Sequence, residues 1–263
     1  MNRIVMKKLI KSRIEELLSK EFYCSLEELN EKTTVYSVNS DTKQPYIKIL
    51  AYRNCVVVCS SKELSSKVRE LLQDKTRDEI FELPLVYGQT IHFVPAHDCT
   101  EDCLVSASRC ALGDTLSYDS PFECECLFGK EVLPLSGLKG FGNSLVFDEN
   151  GFTEAKAVYV ARDHHRIIGV AGAAESMIND VWEIGVDVRE EYRNAGLGTH
   201  LVRKLTEELL AKNIVPFYSA SVTNIGSQMV ANRCGYIPCW VDTFGTVLDG
   251  SSVYHRIVEG LAI

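Results

Sequence analysis

The sequence predicts an α/β protein built in two parts, and three observations support this. Short apolar runs typical of strands alternate with segments whose apolar residues repeat at helical spacing. An irregular, acidic stretch at 97–120 shows little periodicity. The length of 263 residues is enough for one large or two modest domains. We therefore predict a smaller N-terminal α/β domain at 1–118 and a second domain at 119–263.

The first part reads as a small α/β layer, with helical periodicity at its start and β-branched runs behind it. Ser or Thr followed three residues later by Glu is typical of a capping box that opens a helix. In chain order the predicted elements are a helix at 3–20, a short helix capped by Ser25 with Glu28, a hairpin at 46–60 turning at Arg53-Asn54, helices capped by Ser60 with Glu63 and by Thr76 with Glu79, and a strand from Ile91 to Val94. No standard binding motif occurs in this part of the sequence, so it suggests no activity by itself.

The second part alternates strands and helices more regularly. In chain order we predict a strand at 122–127, a helical or irregular stretch to about Asn150, a hairpin of 156–161 and 167–174, a strand at 181–188, a helix from Leu197, a strand at 214–220, a helix after Asn224 and a last strand near 236–248. Taken together, the two parts predict a mixed sheet flanked by helices.

Bulk composition excludes several classes of protein. The net charge of −8 argues against broad nucleic-acid binding, which needs a basic face. No apolar run approaches the roughly 18 residues of a membrane span, and the N-terminus lacks the continuous apolar core of a secretory signal. Ten cysteines without an export signal indicate reduced thiols. We therefore expect a cytoplasmic protein that binds neither membrane nor nucleic acid.

Some histidine and cysteine residues are candidate metal ligands. The candidates are His97, Cys99, Cys103, Cys110, Cys124 and Cys126. Their spacings do not match the paired C-x2-C pattern of common zinc sites, so no metal is expected. The pair His164-His165 lies at a predicted hairpin tip and is interpreted as a solvated turn.

The most informative segment is an apolar strand at 181–188, followed by Arg193-Asn194-Ala195-Gly196-Leu197-Gly198 and a helix. Two glycines at the start of a helix let a ligand approach the backbone without obstruction by Cβ atoms. The first N–H groups of a helix have no acceptor within it, and they form an anion site. The segment therefore predicts a site for a phosphate-bearing ligand.

This segment resembles motif A of the GNAT superfamily of acyl-CoA-dependent N-acyltransferases, whose signature is Arg or Gln, two residues, Gly, any residue, then Gly or Ala. Arg193, Gly196 and Gly198 match the signature. Downstream, Asn224 and the closing pair Gly235-Tyr236 resemble motif B of the same family. The resemblance covers roughly residues 120 to 245, and it implies a mixed, splayed GNAT sheet preceded by the smaller α/β domain.

The resemblance implies acetyl-CoA as the cosubstrate and assigns residues to it. The pyrophosphate would be bound by the loop residues Arg193, Asn194, Ala195, Gly196, Leu197, Gly198 and Thr199. The strand edge of Val186, Asp187 and Val188 would hydrogen-bond the pantetheine, as an added strand does. Asn224 and Ser227 would face the same cofactor. Arg193 has an alternative interpretation as an ion-pairing residue at the start of the helix.

Chemistry at an amine requires a proton acceptor, since a primary amine is mostly protonated at pH 7. Glu183 is the candidate base, because a carboxylate inside an apolar strand needs a role or a partner. A structural Glu paired with a neighbouring strand is the alternative, and Asp187, on the same face by strand parity, is the weaker rival. The resemblance also implies a Tyr that protonates the departing thiolate, but Ala231 occupies that position. Tyr236, Ser227 or a water could substitute, and the sequence does not choose between them.

The resulting functional prediction is transfer of an acetyl or other acyl group from acyl-CoA to a primary amine by direct attack in a ternary complex. We expect the acceptor to be a small molecule, and the sequence leaves a homodimer open. Two alternatives stay open from sequence: a non-catalytic acyl-CoA sensor, motivated by Ala231, and a protein acetyltransferase in which the N-terminal domain docks the partner chain.

Overall fold

The computed structural model describes residues 3–83, 88–96 and 120–247, which fall into two compact units. Unit 1 comprises Met1–Arg13, Phe93–Ser219 and Asn224–Pro238; unit 2 comprises Ile14–His92, Ala220–Thr223 and Cys239–Ile263. The predicted domain boundary at 118 lies outside the described residues and stays a prediction.

The chain forms five α-helices and eleven strands within the described residues. The helices are α1 (Arg3–Glu21), α2 (Ser65–Leu72), α3 (Arg77–Phe81), α4 (Leu197–Ala211) and α5 (Ile225–Arg233). The strands are β1 (Thr34–Asn39), β2 (Tyr46–Tyr52), β3 (Cys55–Ser61), β4 (Thr90–Pro95), β5 (Glu123–Phe128), β6 (Ala155–Asp163), β7 (Arg166–Glu175), β8 (Val181–Val188), β9 (Val215–Ser221), β10 (Tyr236–Asp242) and β11 (Thr246–Val247). Short 3-10 helices lie at Glu28–Asn30, Gly129–Leu135 and Glu190–Tyr192. The mixed α/β class predicted from the sequence is confirmed.

Unit 2 contains a small mixed sheet. β2 and β3 form the predicted hairpin, which turns at Arg53 with a left-handed φ of 52°. β1 runs parallel to β3, and β10 and β11 pair antiparallel with β2. The core of this unit joins the sheet to α2 and α3 through Ile47, Ile49, Val56, Val58, Val68, Leu72 and Ile80. The expected α/β layer is therefore present in this unit.

Two of the three predicted capping boxes form. The Ser25 amide donates to Glu28 at 2.7 Å, and the Glu28 amide donates to the Ser25 hydroxyl at 3.2 Å. Thr76 and Glu79 make the same reciprocal pair at the start of α3. Both boxes satisfy amide groups that would otherwise lack an acceptor at a helix start.

The third predicted capping box, Ser60 with Glu63, is wrong. Ser60 belongs to β3, where it pairs with Ile47 and is buried. The helix begins at Ser65 instead, and its N-cap residue Leu64 makes no side-chain capping bond. The apolar run 55–59 extends as a strand through Ser61, so strand pairing overrides the local capping pattern.

Unit 1 contains the sheet that carries the candidate site, in the order β5-β6-β7-β8-β9. Neighbouring strands are antiparallel except β8 and β9, which are parallel. α4 packs on β6, β7 and β8 through its buried face of Leu197, Leu201, Val202, Leu205, Thr206 and Leu209. The opposite face of the sheet is covered by the segment 129–147, whose Val132, Leu135, Phe141 and Leu145 pack on Val158, Val160 and Val170. The strands predicted for 122–127, 156–161, 167–174 and 214–220 are confirmed.

No helix in the part of the chain that the structure describes is both long and apolar enough to cross a bilayer. Across 3–83, 88–96 and 120–247, no group of three or more His, Cys, Asp or Glu side chains is arranged to hold a metal ion. Four of the weighed ligands, at 97, 99, 103 and 110, lie outside the described residues.

Candidate active site

The candidate site is centred on an open strand edge. β8 and β9 pair in parallel from Val181↔Val215 as far as Ile184↔Tyr218. β8 then continues to Val188, which still pairs with Gly169 of β7 on its other side. Within the described residues, the edge of β8 from Gly185 onward therefore has no strand beside it, although its backbone is held straight by β7.

The backbone groups on this open edge can be assigned from the pairing. The Arg189 amide donates to the Ile168 carbonyl at 2.9 Å, on the β7 side. Because backbone groups of successive strand residues point to alternate edges, those of Val186 and Val188 point to the open side. The Val188 carbonyl accepts a hydrogen bond of 2.8 Å from Nε of Arg193. Arg193 thus ties the loop to the end of β8.

The loop after Arg193 presents the start of α4 to solvent. Asn194 and Gly196 adopt left-handed φ values of 63° and 87°. The first bond within the helix runs from the His200 amide to the Gly196 carbonyl at 3.0 Å, and Gly196 makes no side-chain cap. The amides of the first three helical residues, 197–199, therefore have no acceptor within the helix. This is the positive end of a 15-residue helix.

Gly198 sets how closely α4 approaches β8. A Cβ at this position would lie 3.5 Å from Cγ2 of Val188 and 4.0 Å from Cγ2 of Val186. The two valine side chains therefore face the helix, and Leu197 beside them is fully buried. The open backbone edge and the uncapped helix start consequently lie next to each other, and Asn194 and Ala195 in the preceding loop are exposed.

Asp187 is held by the segment that crosses the other face of the sheet. Its Oδ2 accepts from the Asn143 amide at 2.8 Å, the Ser144 amide at 2.9 Å and the Ser144 hydroxyl at 2.9 Å. Its Oδ1 accepts from the side-chain amide of Asn143 at 2.6 Å. With four donors on its two oxygens, this carboxylate clamps the 141–145 segment to the strand.

Two glycines let that segment lie directly on the strands. A Cβ at Gly172 would be 1.7 Å from the Ser144 carbonyl oxygen, and a Cβ at Gly185 would be 1.8 Å from the Asn143 carbonyl oxygen. No real Cβ contact is that short, so any other residue would displace the backbone of the segment. Gly172 and Gly185 pair with each other across β7 and β8, so the backbone of residues 143–144 crosses both strands at this glycine pair.

Glu183 lies on the same face as Gly185 and Asp187, and its side chain is exposed. Its Oε1 accepts a hydrogen bond from the Ser219 hydroxyl of β9. Glu183 is therefore compatible with both interpretations from the sequence. It has a partner on a neighbouring strand, as a structural Glu would, and it is accessible to a ligand, as a base must be.

The motif B residues form a second small network. The Asn224 side chain accepts from the Ser227 amide at 3.1 Å and caps α5. The Ser227 side chain hydrogen-bonds the phenol of Tyr218, the last residue of β9 that pairs with β8. Burial raises the pKa of Tyr218 above its ordinary value, although the hydrogen bond with Ser227 opposes that rise. This phenol is therefore protonated at neutral pH.

Tyr236 lies in the core of unit 1. Its side chain is 2% exposed, and its hydroxyl shares a 2.7 Å hydrogen bond with Thr206 in the middle of α4. Ala231, at the position where the resemblance implies a proton-donating Tyr, is completely buried. The contacts of Tyr236 are those of a core residue, and its predicted role as proton donor stays a prediction.

Sequence reasoning identified the loop, the strand edge and Glu183, and the structure brings these together around the end of β8. It missed Asn143, Ser144, Ser219 and Tyr218. The first two lie more than forty residues from Asp187 in the chain. No local pattern marked them, because their importance depends on which strand and which face they reach.

Comparison with known proteins identifies a family for part of the chain. Residues 134–236 match the family model described as "Acetyltransferase (GNAT) family". No curated protein matches the chain significantly.

Several solved structures are similar to parts of this chain. A putative GNAT acetyltransferase from Novosphingobium aromaticivorans is 18% identical, with 59% of this chain and 63% of that chain covered and a TM-score of 0.41. A GCN5-related N-acetyltransferase-like protein from Streptococcus suis is 17% identical, with 90% and 99% covered and a TM-score of 0.43. A Bacillus subtilis acetyltransferase in complex with CoA is 16% identical, with 36% and 78% covered and a TM-score of 0.30.

These TM-scores are all below 0.5, so the family assignment depends on the match to the family model. That match spans the segment over the sheet, the open edge of β8, the glycine loop and both motif regions. Residues 134–236 of this chain form a GNAT acetyltransferase domain.

Proposed function

We propose that this protein transfers an acyl group, in the simplest case acetyl, from acyl-CoA to a primary amine by direct attack in a ternary complex. The observation that carries the proposal is the open edge of β8 from Gly185 to Val188 beside the uncapped start of α4. The start of α4 offers amides to an anion, and the open edge of β8 offers backbone groups to an extended chain.

The residues present fit an acyl-CoA molecule. Its pyrophosphate is an anion, and the helix start supplies both the amides of 197–199 and the positive end of the helix dipole. Its pantetheine arm contains amides that can pair with the backbone of Val186 and with the amide of Val188, as an added strand would; the Val188 carbonyl already accepts from Arg193. The thioester then falls near Ile184, where β8 and β9 separate. A backbone amide of the open edge would face its carbonyl and stabilise negative charge there.

Glu183 is the base that this arrangement favours. It is exposed, and it lies one residue before the last β8 position paired with β9. Asp187 lies on the same face, but its two oxygens are engaged by four donors. Taking a proton at Asp187 would disrupt the clamp on the 141–145 segment, whereas Glu183 can accept a proton from an ammonium acceptor without that cost.

In this proposal the departing thiolate takes a proton from the Ser227–Tyr218 pair, and the second proton that the attacking nitrogen loses on amide formation returns to that pair through solvent. Ser227 is half-buried in the first turn of α5 and is hydrogen-bonded to the protonated phenol of Tyr218. This pair would take the place of the proton-donating Tyr that the resemblance implies at position 231, where this chain has Ala. CoA thiol is also a fairly good leaving group, so the demand on this donor is modest.

The first test is calorimetric titration of the full chain with acetyl-CoA, followed by a screen of small amines and amino-terminal peptides read by release of free thiol. We expect binding and turnover with at least one small amine. Absence of binding at millimolar acetyl-CoA would contradict the proposal, and turnover with peptides alone would favour the protein acetyltransferase.

Glu183→Gln tests the base directly. Its shape is nearly unchanged, so acetyl-CoA affinity and thermal stability should stay close to those of the parent. Turnover should fall by roughly 10²–10⁴, the range typical of a positioned base. Part of the loss should return at high pH, where more acceptor is already neutral. A rate within about threefold of the parent from pH 6 to 10 would exclude Glu183 as the base.

A second candidate function is a non-catalytic acyl-CoA sensor. The observation that favours it is the buried alanine at position 231, which leaves the expected proton donor absent. Tight acetyl-CoA binding with no thiol release across the whole panel would support the sensor over the transferase.

A further inference from the structure

The hydrogen bond between Ser219 and Glu183 crosses the point where β8 and β9 part. Glu183 is opposite Phe217 in the parallel register, so Ser219 lies two residues further along β9 on the same face. The last paired residues are Ile184 and Tyr218. The Ser219 hydroxyl therefore reaches Glu183 across the base of the opening between the strands.

Glu183 and Asp187 share one face of β8 and differ in how they are held. Asp187 is clamped by four donors from Asn143 and Ser144. Within the described residues, Ser219 is the one donor to Glu183, and its bond goes to Oε1. The second oxygen, Oε2, is left for a ligand, so Ser219 orients the carboxylate without saturating it.

An exposed glutamate is otherwise a poorly ordered group. It has several rotatable bonds, and ordering such a side chain costs on the order of 1 kcal/mol or more of conformational free energy. A base contributes most when its orientation is set before the acceptor arrives. The Ser219 hydroxyl supplies that order, because it lies on a strand of the sheet.

From this geometry we infer that Ser219 is a positioning residue: it holds the Glu183 carboxylate at the opening between β8 and β9, with Oε2 directed to the amine acceptor. The inference rests on the proposed acyl transfer. Ser219 neither takes nor gives a net proton in this role. It donates its hydrogen bond to Glu183 while the acceptor proton passes to Oε2.

Removing the hydroxyl should act on kcat alone. The carboxylate loses its fixed orientation, so kcat falls. The residues proposed to bind acyl-CoA are unchanged, so the KM for acyl-CoA stays near that of the parent. A hydroxyl with a purely structural role would change the melting temperature and leave kcat per folded molecule where it was.

The experiment measures kcat and the KM for acetyl-CoA for the parent and for Ser219→Ala, with the same amine acceptor. We expect kcat to fall roughly three- to thirtyfold, with the KM for acetyl-CoA unchanged. Ser219→Thr keeps the hydroxyl and should restore kcat.

The matched control is Ser221→Ala, which removes a hydroxyl from the same strand. Ser221 bonds Thr223 at 3.1 Å, and its loss should leave kcat unchanged. The decisive measurement is a double-mutant cycle, because a residue that acts through Glu183 has nothing to act on in Glu183→Gln. Ser219→Ala should therefore add no further loss of rate in that background.

The outcomes separate this inference from the proposed function. If Ser219→Ala leaves kcat unchanged, or if its effect persists in full beside Glu183→Gln, the positioning role is wrong while the transferase proposal survives. If Glu183→Gln alone keeps the parent rate, both the base and its positioning are overturned. If the parent releases no thiol with any amine, the proposed function fails and this inference with it.

Discussion

Gly185→Ala tests the packing of the 141–145 segment on the sheet. The new Cβ would lie 1.8 Å from the Asn143 carbonyl oxygen, whereas real Cβ contacts are essentially never below 3.0 Å. The carbonyl must therefore retreat by about 1.2 Å or more. Hydrogen bonds of 2.8 and 2.9 Å from the Asn143 and Ser144 amides to Asp187 would then lengthen to about 4 Å and break.

The loss in the free energy of unfolding is estimated from those hydrogen bonds. A hydrogen bond to a charged group contributes about 1.5–3 kcal/mol when it is well protected, and less here because Asn143 is exposed. Replacing Gly by Ala also removes some freedom of the unfolded chain, which offsets about 0.4–1 kcal/mol. We expect a net loss of about 2–4 kcal/mol, equivalent to a fall in melting temperature of roughly 5–10 °C.

The assay is calorimetry or denaturant unfolding of the full chain, with hydrogen exchange at the Asn143 and Ser144 amides as a local readout. Gly198→Ala is the matched control, because its Cβ meets Val188 at an ordinary 3.5 Å and lies inside a helix. Helix propensity predicts equal or slightly higher stability there. If Gly185→Ala melts within about 1 °C of the parent and both amides stay protected, the segment is not clamped as described.

Two further predictions concern the loop and the core. Gly196→Glu should abolish acetyl-CoA binding in calorimetry, because it places a side chain at a φ of 87° and an anion beside the pyrophosphate; a folded variant with parental affinity would refute the loop assignment. Gly198→Ala should retain binding, since that position tolerates Ala in the family signature. Tyr236→Phe should lower stability by about 1 kcal/mol, because Thr206 loses one partner but keeps the Val202 carbonyl. Its kcat should stay near that of the parent, and a tenfold fall with retained stability would restore Tyr236 as the proton donor.

Local sequence determined most elements of this protein and the left-handed turn that precedes α4. The reciprocal bonds of Ser25 with Glu28 and of Thr76 with Glu79 span three residues, so their geometry follows from the local chain alone. The same holds for the turn at Gly196, where a positive φ and the following helix are encoded within a few residues.

Strand pairing decided where local patterns were insufficient. Ser60 has a sequence neighbourhood typical of a helix cap, but its pairing with Ile47 in the β2–β3 hairpin draws it into a strand. A hydrogen-bonded ladder satisfies the backbone of the whole segment, whereas a cap satisfies one or two groups of a helix end. The cap prediction was therefore wrong because the pairing of Ser60 with Ile47 cannot be read from the few residues around Ser60.

The difference in hydrogen bonding between Glu183 and Asp187 came from tertiary structure alone. From the sequence they are two carboxylates on one face of a strand, with Glu183 preferred as base. Their difference arises from Asn143 and Ser144, which reach Asp187 across the sheet, and from Ser219, which reaches Glu183 from a parallel strand. Parallel register and the path of a crossing segment depend on contacts over 36 to 44 residues. The sequence thus specified the chemical groups, and the packing of distant segments decided which carboxylate is engaged and which is open, because a hydrogen-bond partner is set by position in space rather than by position in the chain.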